Sequence, residues 1–287
     1  KKIGKNCHQF GTGDLKMYDL SVCLAAIRKE NWSRLHNSIV ESIGEYTFEL
    51  IFCGPHNELP EDLQGLENVK CIQDYGCPTR AQQISMKGAK GRYITWTADD
   101  GWFFKDGLRQ CIDFLDQQPK EKKCVVTQYT EGGSDGLGDP KLGMYQINFH
   151  DPVRSQFYPN HFLIFNSVVL ETEVFHKLGG FDCRFEACPM AFVDFGVRAQ
   201  LAGLKPALVG TIFECTQLPG PIGDHVPIHH AQIDHDQPLY AQIWRSPRAG
   251  AQCPERIEID YDNWQQSPDI WTRRFEESSD EGIKRLF

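Results

Sequence analysis

No apolar run in this chain approaches the ~20 residues needed to span a bilayer, and the opening stretch KKIGKNCHQFGTGDLK has no signal-peptide core. No integral membrane segment is expected, and the missing initiator methionine reads as a trimmed start. Positive charge is scarce as well. The 30 Lys and Arg against 39 Asp and Glu leave a net −9, which argues against a nucleic-acid partner because phosphate binding favours a basic surface. A nucleotide asks less, since a few local basic groups or a metal offset its phosphates. The eleven cysteines contain no CxxC pair, and Cys183 with Cys188 has no second couple to complete a zinc pattern. They are expected to be mostly buried thiols in a reducing compartment, the cytoplasm. HExxH motifs, internal repeats and basic amphipathic helices are absent too.

What is present is a series of apolar runs at strand length. LSVCLAAI (20–27), FELIFCG (48–54), NVKCIQDYG (68–76) and RYITWTA (92–98) read as strands, the first suited to burial on both faces. NWSRLHNSIVESI between them carries Trp32, Leu35, Ile39 and Ile43 at helical spacing, and TRAQQISMKGAKG (79–91) is a helix with Thr79 as its expected N-cap. FKDGLRQCIDFLDQQ reads as the next helix and KCVVTQYTE (123–131) as another strand. The Gly-, Pro- and Asp-rich stretch 132–162 reads as a long loop or lid, followed by a strand and helix in FLIFNSVVLETEVFHKLGGFD, then a helix and strand in VDFGVRAQLAGLKPALVG. Such alternation indicates an α/β fold with a mostly parallel central sheet flanked by helices. Beyond about 217 the periodicity weakens.

The strand 92–98 ends in two adjacent carboxylates, Asp99 and Asp100. Like charges side by side repel unless a cation or a set of donors lies between them. In open α/β sheets ligands bind beyond the carboxyl ends of the strands, so the pair would face that crevice. A hard divalent cation, Mg²⁺ or Mn²⁺, takes oxygen ligands of this kind and bridges them to phosphates. A helix N-terminus, which also favours Asp, is the competing explanation for DDGWFFKDGL.

The order strand, DD, aromatic, DGL resembles the metal motif of nucleotide-sugar-dependent glycosyltransferases with the GT-A fold, in the family 2-like branch. DYGCPTRAQQISMKGAKGRYITWTADD resembles that family's arginine-bearing helix leading into the metal strand. LSVCLAAIRKENWSRLHNSI occupies the place of its first strand and helix, and LGGFDCRFEACPMAFVDFGVRAQLAGLK is similar to its acceptor-side segment. The resemblance covers roughly residues 18–205. It implies a Rossmann-like GT-A domain over 18–216, preceded by a lead-in (1–17) and followed by an irregular C-terminal extension (217–287) packing on the same domain. The implied activity is a metal-dependent, inverting transfer of a sugar from a UDP- or GDP-type donor to a glycan or other hydroxyl acceptor.

The resemblance also distributes roles. Asp100 matches the metal-ligating aspartate, and Asp99 the neighbour that contacts the ribose or shares the metal shell. Arg80 and Gln83 share a helix face near a helix N-terminus suited to phosphate. Arg28, after the first strand, and Asp74, after the third, are candidates to contact the nucleotide. CGP (53–55) departs from the acidic residue that the family often carries there, leaving the base open. The expected general base, an ED pair, is replaced by Ala191-Phe192, so Asp194 and Glu186, which flank the gap, become the candidates. A late histidine, His225 or one of His229 and His230, would join the metal shell and favour Mn²⁺. Trp102, Trp244, Trp264 and Trp271 are candidates for an acceptor platform. Two other readings compete: a metal-dependent hydrolase or nucleotidyltransferase, and a non-catalytic nucleotide-sugar-binding protein that has lost its base. Against the nucleotidyltransferase, AAIRKENW holds no glycine-rich, lysine-bearing loop.

Overall fold

A computed structural model describes residues 18–119, 123–131, 149–150, 162–215, 225–244 and 257–267. Strands β1 (Tyr18–Ala25), β2 (Phe48–Gly54), β3 (Val69–Gln73) and β4 (Gly91–Trp96) form a parallel block in the order β3-β2-β1-β4. Helix α1 (Trp32–Ile43) crosses from β1 to β2, and α2 (Pro78–Lys87) from β3 to β4. Each helix shows why it forms. In α1 the buried residues include Trp32, Leu35, Ile39 and Ile43, the stripe expected from their spacing. In α2, Pro78 occupies the first turn, where its missing N–H costs nothing. Thr79, expected to cap α2, is already inside it; Cys77 holds the cap position.

The second half departs from the expected mostly parallel sheet. A turn at Thr97–Asp100 leads straight into β5 (Gly101–Phe103), and helix α3 begins only at Gly107, running to Asp116. Asp99 and Asp100 therefore sit in a strand-to-strand turn rather than at a helix N-terminus. β6 (Cys124–Glu131), β9 (Val168–Glu171) and β10 (Ala207–Cys215) complete an eight-stranded sheet of order β3-β2-β1-β4-β9-β6-β10-β5. β9 runs antiparallel to both β4 and β6, β10 is parallel to β6, and β5 is antiparallel to β10. The sheet is mixed because β9 enters it head-down, and because β5 follows its turn too closely for a crossover. A separate two-stranded ribbon pairs β7 (Phe149–His150) with β8 (Phe162–Leu163). Apart from Phe149–His150 and Phe162, the loop or lid expected over 132–162 lies outside the described residues.

Both faces of the sheet are buried. On one, Leu20, Val22 and Leu24 of β1 meet Trp32 and Leu35 of α1 and Leu108 and Ile112 of α3. On the other, Cys23, Ile94 and Trp96 meet Phe175 of α4 (Thr172–Lys177) and Phe195 of α5 (Cys188–Leu201). The alternation within β1 is the period-2 signature of a strand covered on both sides. The described C-terminal residues pack onto this body. α6 (His225–His230) passes through a π-helical turn (Ala231–Asp236) into α7 (Gln237–Trp244), whose Trp244 is fully buried. Further on, Ile259 donates its N–H to Leu178 O at 3.3 Å. Gly179 permits this approach: its φ is +82°, and a Cβ there would lie 2.0 Å from Ile259 O.

Candidate functional site

A cleft of about 360 Å³ opens at the carboxyl ends of β1, β2 and β4, the place where open α/β sheets take ligands. Its charged lining is Arg28, Asp74, Asp99 and Asp100. Tyr129, Phe192, Phe213, Cys188 and Pro189 add apolar lining. Gly54 allows the end of β2 to press against the β1 loop, since a Cβ there would come within 2.0 Å of Ala26 O. That contact gives a steric reason for glycine where the resemblance led one to look for an acid.

Asp99 is the organising residue of the cleft floor. Its Oδ2 accepts the backbone N–H groups of Ile27 at 2.7 Å and Arg28 at 2.6 Å, and its Oδ1 accepts Arg28 Nη1 at 2.6 Å. The same Nη1 lies 3.5 Å from Asp100 Oδ2. The guanidinium thus stands beside both carboxylates, and the adjacent charges are reconciled by Arg28 and two main-chain donors. A cation of the protein, the Arg28 guanidinium, stands beside the pair. Arg34, held over the Trp102 ring at 4.5 Å, donates to Asp100 O at 3.2 Å and fixes the turn from the other side. His56 adds a contact to Ile27 O at 2.8 Å.

Of the nucleotide candidates, Arg28, Asp74 and Asp99 are brought together around the cleft, while Arg80 and Gln83 are not part of its lining. Gln83 is fully buried and bonded to main chain: its amide nitrogen donates to Gly179 O and Tyr261 O, both at 3.1 Å, and its oxygen accepts Phe181 N–H at 2.9 Å. This corrects the phosphate face expected for α2. Arg80 grips Asp74 instead, with Nη2 at 2.9 Å from Oδ1. The α2 residue that does face the cleft is Gln82, whose side chain accepts Ala25 N–H at 3.0 Å and donates to Cys23 O at 2.8 Å, pinning the end of β1. The sequence reading missed it, although the small residues Pro78 and Ala81 on the same face carried the signal.

The two base candidates are also placed elsewhere. Asp194 is fully buried, with Oδ2 at 2.8 Å from Arg198 Nε and Oδ1 accepting Trp244 Nε1–H at 2.9 Å. Its neighbourhood is the core, so the expected catalytic position is corrected to a structural ion pair. Glu186 is buried too, with Oε1 3.7 Å from His235 Nδ1. Asp236 accepts the N–H groups of Glu186 at 2.9 Å and Ala187 at 2.7 Å. Glu186 itself does not line the cleft, but Ala187 and Cys188 do, as does Phe192 at the position where the resemblance places a carboxylate.

His229 and His230 are exposed on α6 and are not part of the cleft lining, which Ile228 beside them joins, and the side chain of His225 lies outside the described residues. The tryptophan platform is not assembled: Trp244 is core, Trp102 carries Arg34, Trp264 carries Arg80, and Trp271 lies outside the described residues. Burial pushes the thiols of Cys53 and Cys188, both in the cleft wall, far up, so neither is a thiolate nucleophile.

Among the described residues, no three His, Cys, Asp or Glu side chains converge into a metal cage. The site suits the other mode of binding, in which Mg²⁺ or Mn²⁺ is held by one or two carboxylates and by substrate phosphates. Asp100 is the residue that would hold it, since Asp99 is committed to the β1 loop.

No protein-family model matches the sequence, and neither does any curated protein. Solved structures do resemble it. S. aureus TarS 1-349 in complex with UDP superposes with a TM-score of 0.52 at 15% identity, covering 93% of this chain and 83% of that one. The same protein in complex with UDP-GlcNAc gives 0.53 at 15%, covering 93% and 78%. Against another TarS structure the chain spans 43% of that chain, with a TM-score of 0.53 at 16% identity. At these identities the likeness establishes the fold: this chain shares the mixed, helix-flanked α/β architecture of TarS.

Proposed function

We propose that the protein is a glycosyltransferase of the GT-A type, moving a hexose-like sugar from a nucleoside diphosphate donor, UDP first, to a hydroxyl acceptor. The observation that carries this reading is the Arg28–Asp99–Asp100 arrangement at the strand ends, which sets a guanidinium and carboxylates in the cleft lining. The TarS structures, which hold UDP and UDP-GlcNAc, support a nucleotide-sugar partner. We assign residues 18–216 to this unit and 217–287 to an extension on it, in a cytoplasmic setting that suits the free cysteines.

Asp99 shapes the loop that receives the nucleoside, Asp74 offers a carboxylate at the cleft's edge, and Arg28 offers positive charge to the diphosphate. A divalent ion, when bound, supplies Lewis-acid stabilisation of the departing diphosphate, with Asp100 as its protein ligand. Inverting transfer needs a base for the acceptor hydroxyl. Neither Glu186 nor Asp194, both buried and outside the cleft lining, is placed to serve as that base.

Phe192 favours a second reading, since an aromatic ring lines the cleft where a base is expected: a nucleotide-sugar-binding protein without turnover. Calorimetry with UDP and UDP-GlcNAc, with and without Mn²⁺, followed by a UDP-release assay over an acceptor panel, separates the two. Transfer predicts donor binding together with turnover that is lost in Asp100→Ala. Donor binding with no turnover under any acceptor supports the second reading. Absence of nucleotide binding, or Mn²⁺-dependent affinity unchanged in Asp100→Ala, refutes the assignment of the site.

A further inference from the structure

The described residues 257–267 lie against α2 through a dense set of polar contacts. Arg80 Nη1 donates to Trp264 O at 2.8 Å, and its guanidinium carbon stands 4.9 Å from the centroid of the Trp264 ring. Two turns on, Lys87 pairs with Asp262 and lies over the rings of Tyr261 at 5.2 Å and Trp264 at 5.5 Å. Asn263 accepts Cys183 N–H at 2.7 Å and donates to Phe181 O at 3.0 Å. The other edge of the Arg80 fork is turned to Asp74, with Nε 3.0 and 3.1 Å from its two oxygens and Nη2 2.9 Å from Oδ1. Gly76 N–H adds a bond to Oδ2 at 2.9 Å. Asp74 lines the cleft; Arg80 and Trp264 do not.

A carboxylate offers about four lone-pair sites. Three donor hydrogens make four contacts on it here, the Arg80 Nε–H being shared between both oxygens. We propose that Arg80 and Trp264 are positioning residues: the C-terminal segment holds the guanidinium, the guanidinium fixes Asp74, and Asp74, which lines the cleft, accepts an N–H or O–H of the nucleoside at an oxygen that shares the Nε–H. Nucleotide affinity is thereby tied to the docking of residues 257–267. This rests on the proposed reading of the cleft and extends it to residues outside. It also replaces the direct phosphate contact expected of Arg80 with an indirect role. Lysine cannot substitute, because it lacks the planar fork that engages the carboxylate along one edge and a carbonyl along the other.

The test is UDP titration by calorimetry of the full chain carrying Arg80→Lys, Trp264→Leu or Trp264→Phe, each made alone and in an Asp74→Asn background, with near-UV circular dichroism to verify folding. Arg80→Lys and Trp264→Leu are each expected to weaken UDP roughly tenfold, the scale of one charge-assisted hydrogen bond. Trp264→Phe, which keeps a ring under the guanidinium, restores most of the affinity. In the Asp74→Asn background neither Arg80→Lys nor Trp264→Leu weakens UDP further. If Arg80→Lys costs the same tenfold without the Asp74 carboxylate, Arg80 touches the nucleotide itself and the proposal is overturned. Full affinity in every folded single variant overturns it as well, while leaving the cleft assignment standing. Failure of the unaltered protein to bind UDP removes both.

Discussion

Asp194→Asn separates a catalytic carboxylate from a structural one. The substitution keeps the shape of the side chain but removes its charge and one of its two acceptor oxygens. In the native site, Oδ1 takes the Trp244 indole N–H and Oδ2 takes Arg198 Nε–H, with both ion-pair side chains at 0% exposure. An asparagine satisfies one of these donors and turns its NH₂ against the other, leaving the buried guanidinium without its counter-charge. Removing one member of a buried pair typically costs about 3–5 kcal/mol. Arg198 keeps hydrogen bonds to Leu178 O, Gly180 O and Ile257 O, so the lower end, about 3 kcal/mol, is expected. At about 2–4 °C per kcal/mol for a chain of this size, the melting temperature should fall by about 6–12 °C. Urea unfolding gives the free energy, and calorimetry with UDP at a temperature where the variant is folded should give an unchanged affinity. A variant of native stability that has lost turnover would show that the carboxylate acts on substrate, and the reasoning from burial would be refuted.

Three further expectations follow from the same geometry. Asp99→Asn should lower stability by about 2 kcal/mol through loss of a charge-assisted pair with Arg28, and should weaken UDP as well; an affinity unaltered in a destabilised protein would detach the β1 loop from ligand binding. The hydrogen bond from Tyr46 to Asp113, 2.7 Å long, pushes the phenol up to about 12 from 10.0. Folding therefore favours the neutral phenol: its contribution is intact below pH 10, fades as pH climbs to about 12, and should be absent from the alkaline stability profile of Tyr46→Phe. Burial lowers His176 below 6.5, against an opposing hydrogen bond with the Met86 backbone. The unfolded chain then binds more protons, so this contribution is full above about 6.5 and declines as the medium is acidified below it. His176→Gln should flatten the acid limb of the urea midpoint plotted against pH.

Much of the first half was legible because strands buried on both faces leave continuous apolar runs. LSVCLAAI and FELIFCG announce themselves whatever packs on them. Direction is another matter, since VVLE reads the same up or down, and nothing in the run tells that β9 pairs antiparallel with β4. GWF, three residues long, is too short to show a period, so the helix after it was expected early. At the site, the aspartate pair marked the right crevice by ending an apolar strand. Its partner did not show, because Arg28 is 71 residues from Asp99 and only tertiary structure brings them together. The α2 face was misjudged by one position: a single residue turns a helix by about 100°, enough to exchange Gln82 for Gln83. Asp194 and Arg198 did carry a local clue, the four-residue spacing of a helical ion pair.

The head-down entry of β9 has a consequence for synthesis. β4 and β6 do not touch in the sheet; β9 bonds to both, and its last residue is Glu171. A nascent chain emerging from the ribosome therefore carries β4 with one bare edge until that residue is out, and such an edge recruits other strands. Fragments ending near 120 should be sticky, whereas those extended past 171 should gain protection at β4 amides in hydrogen exchange.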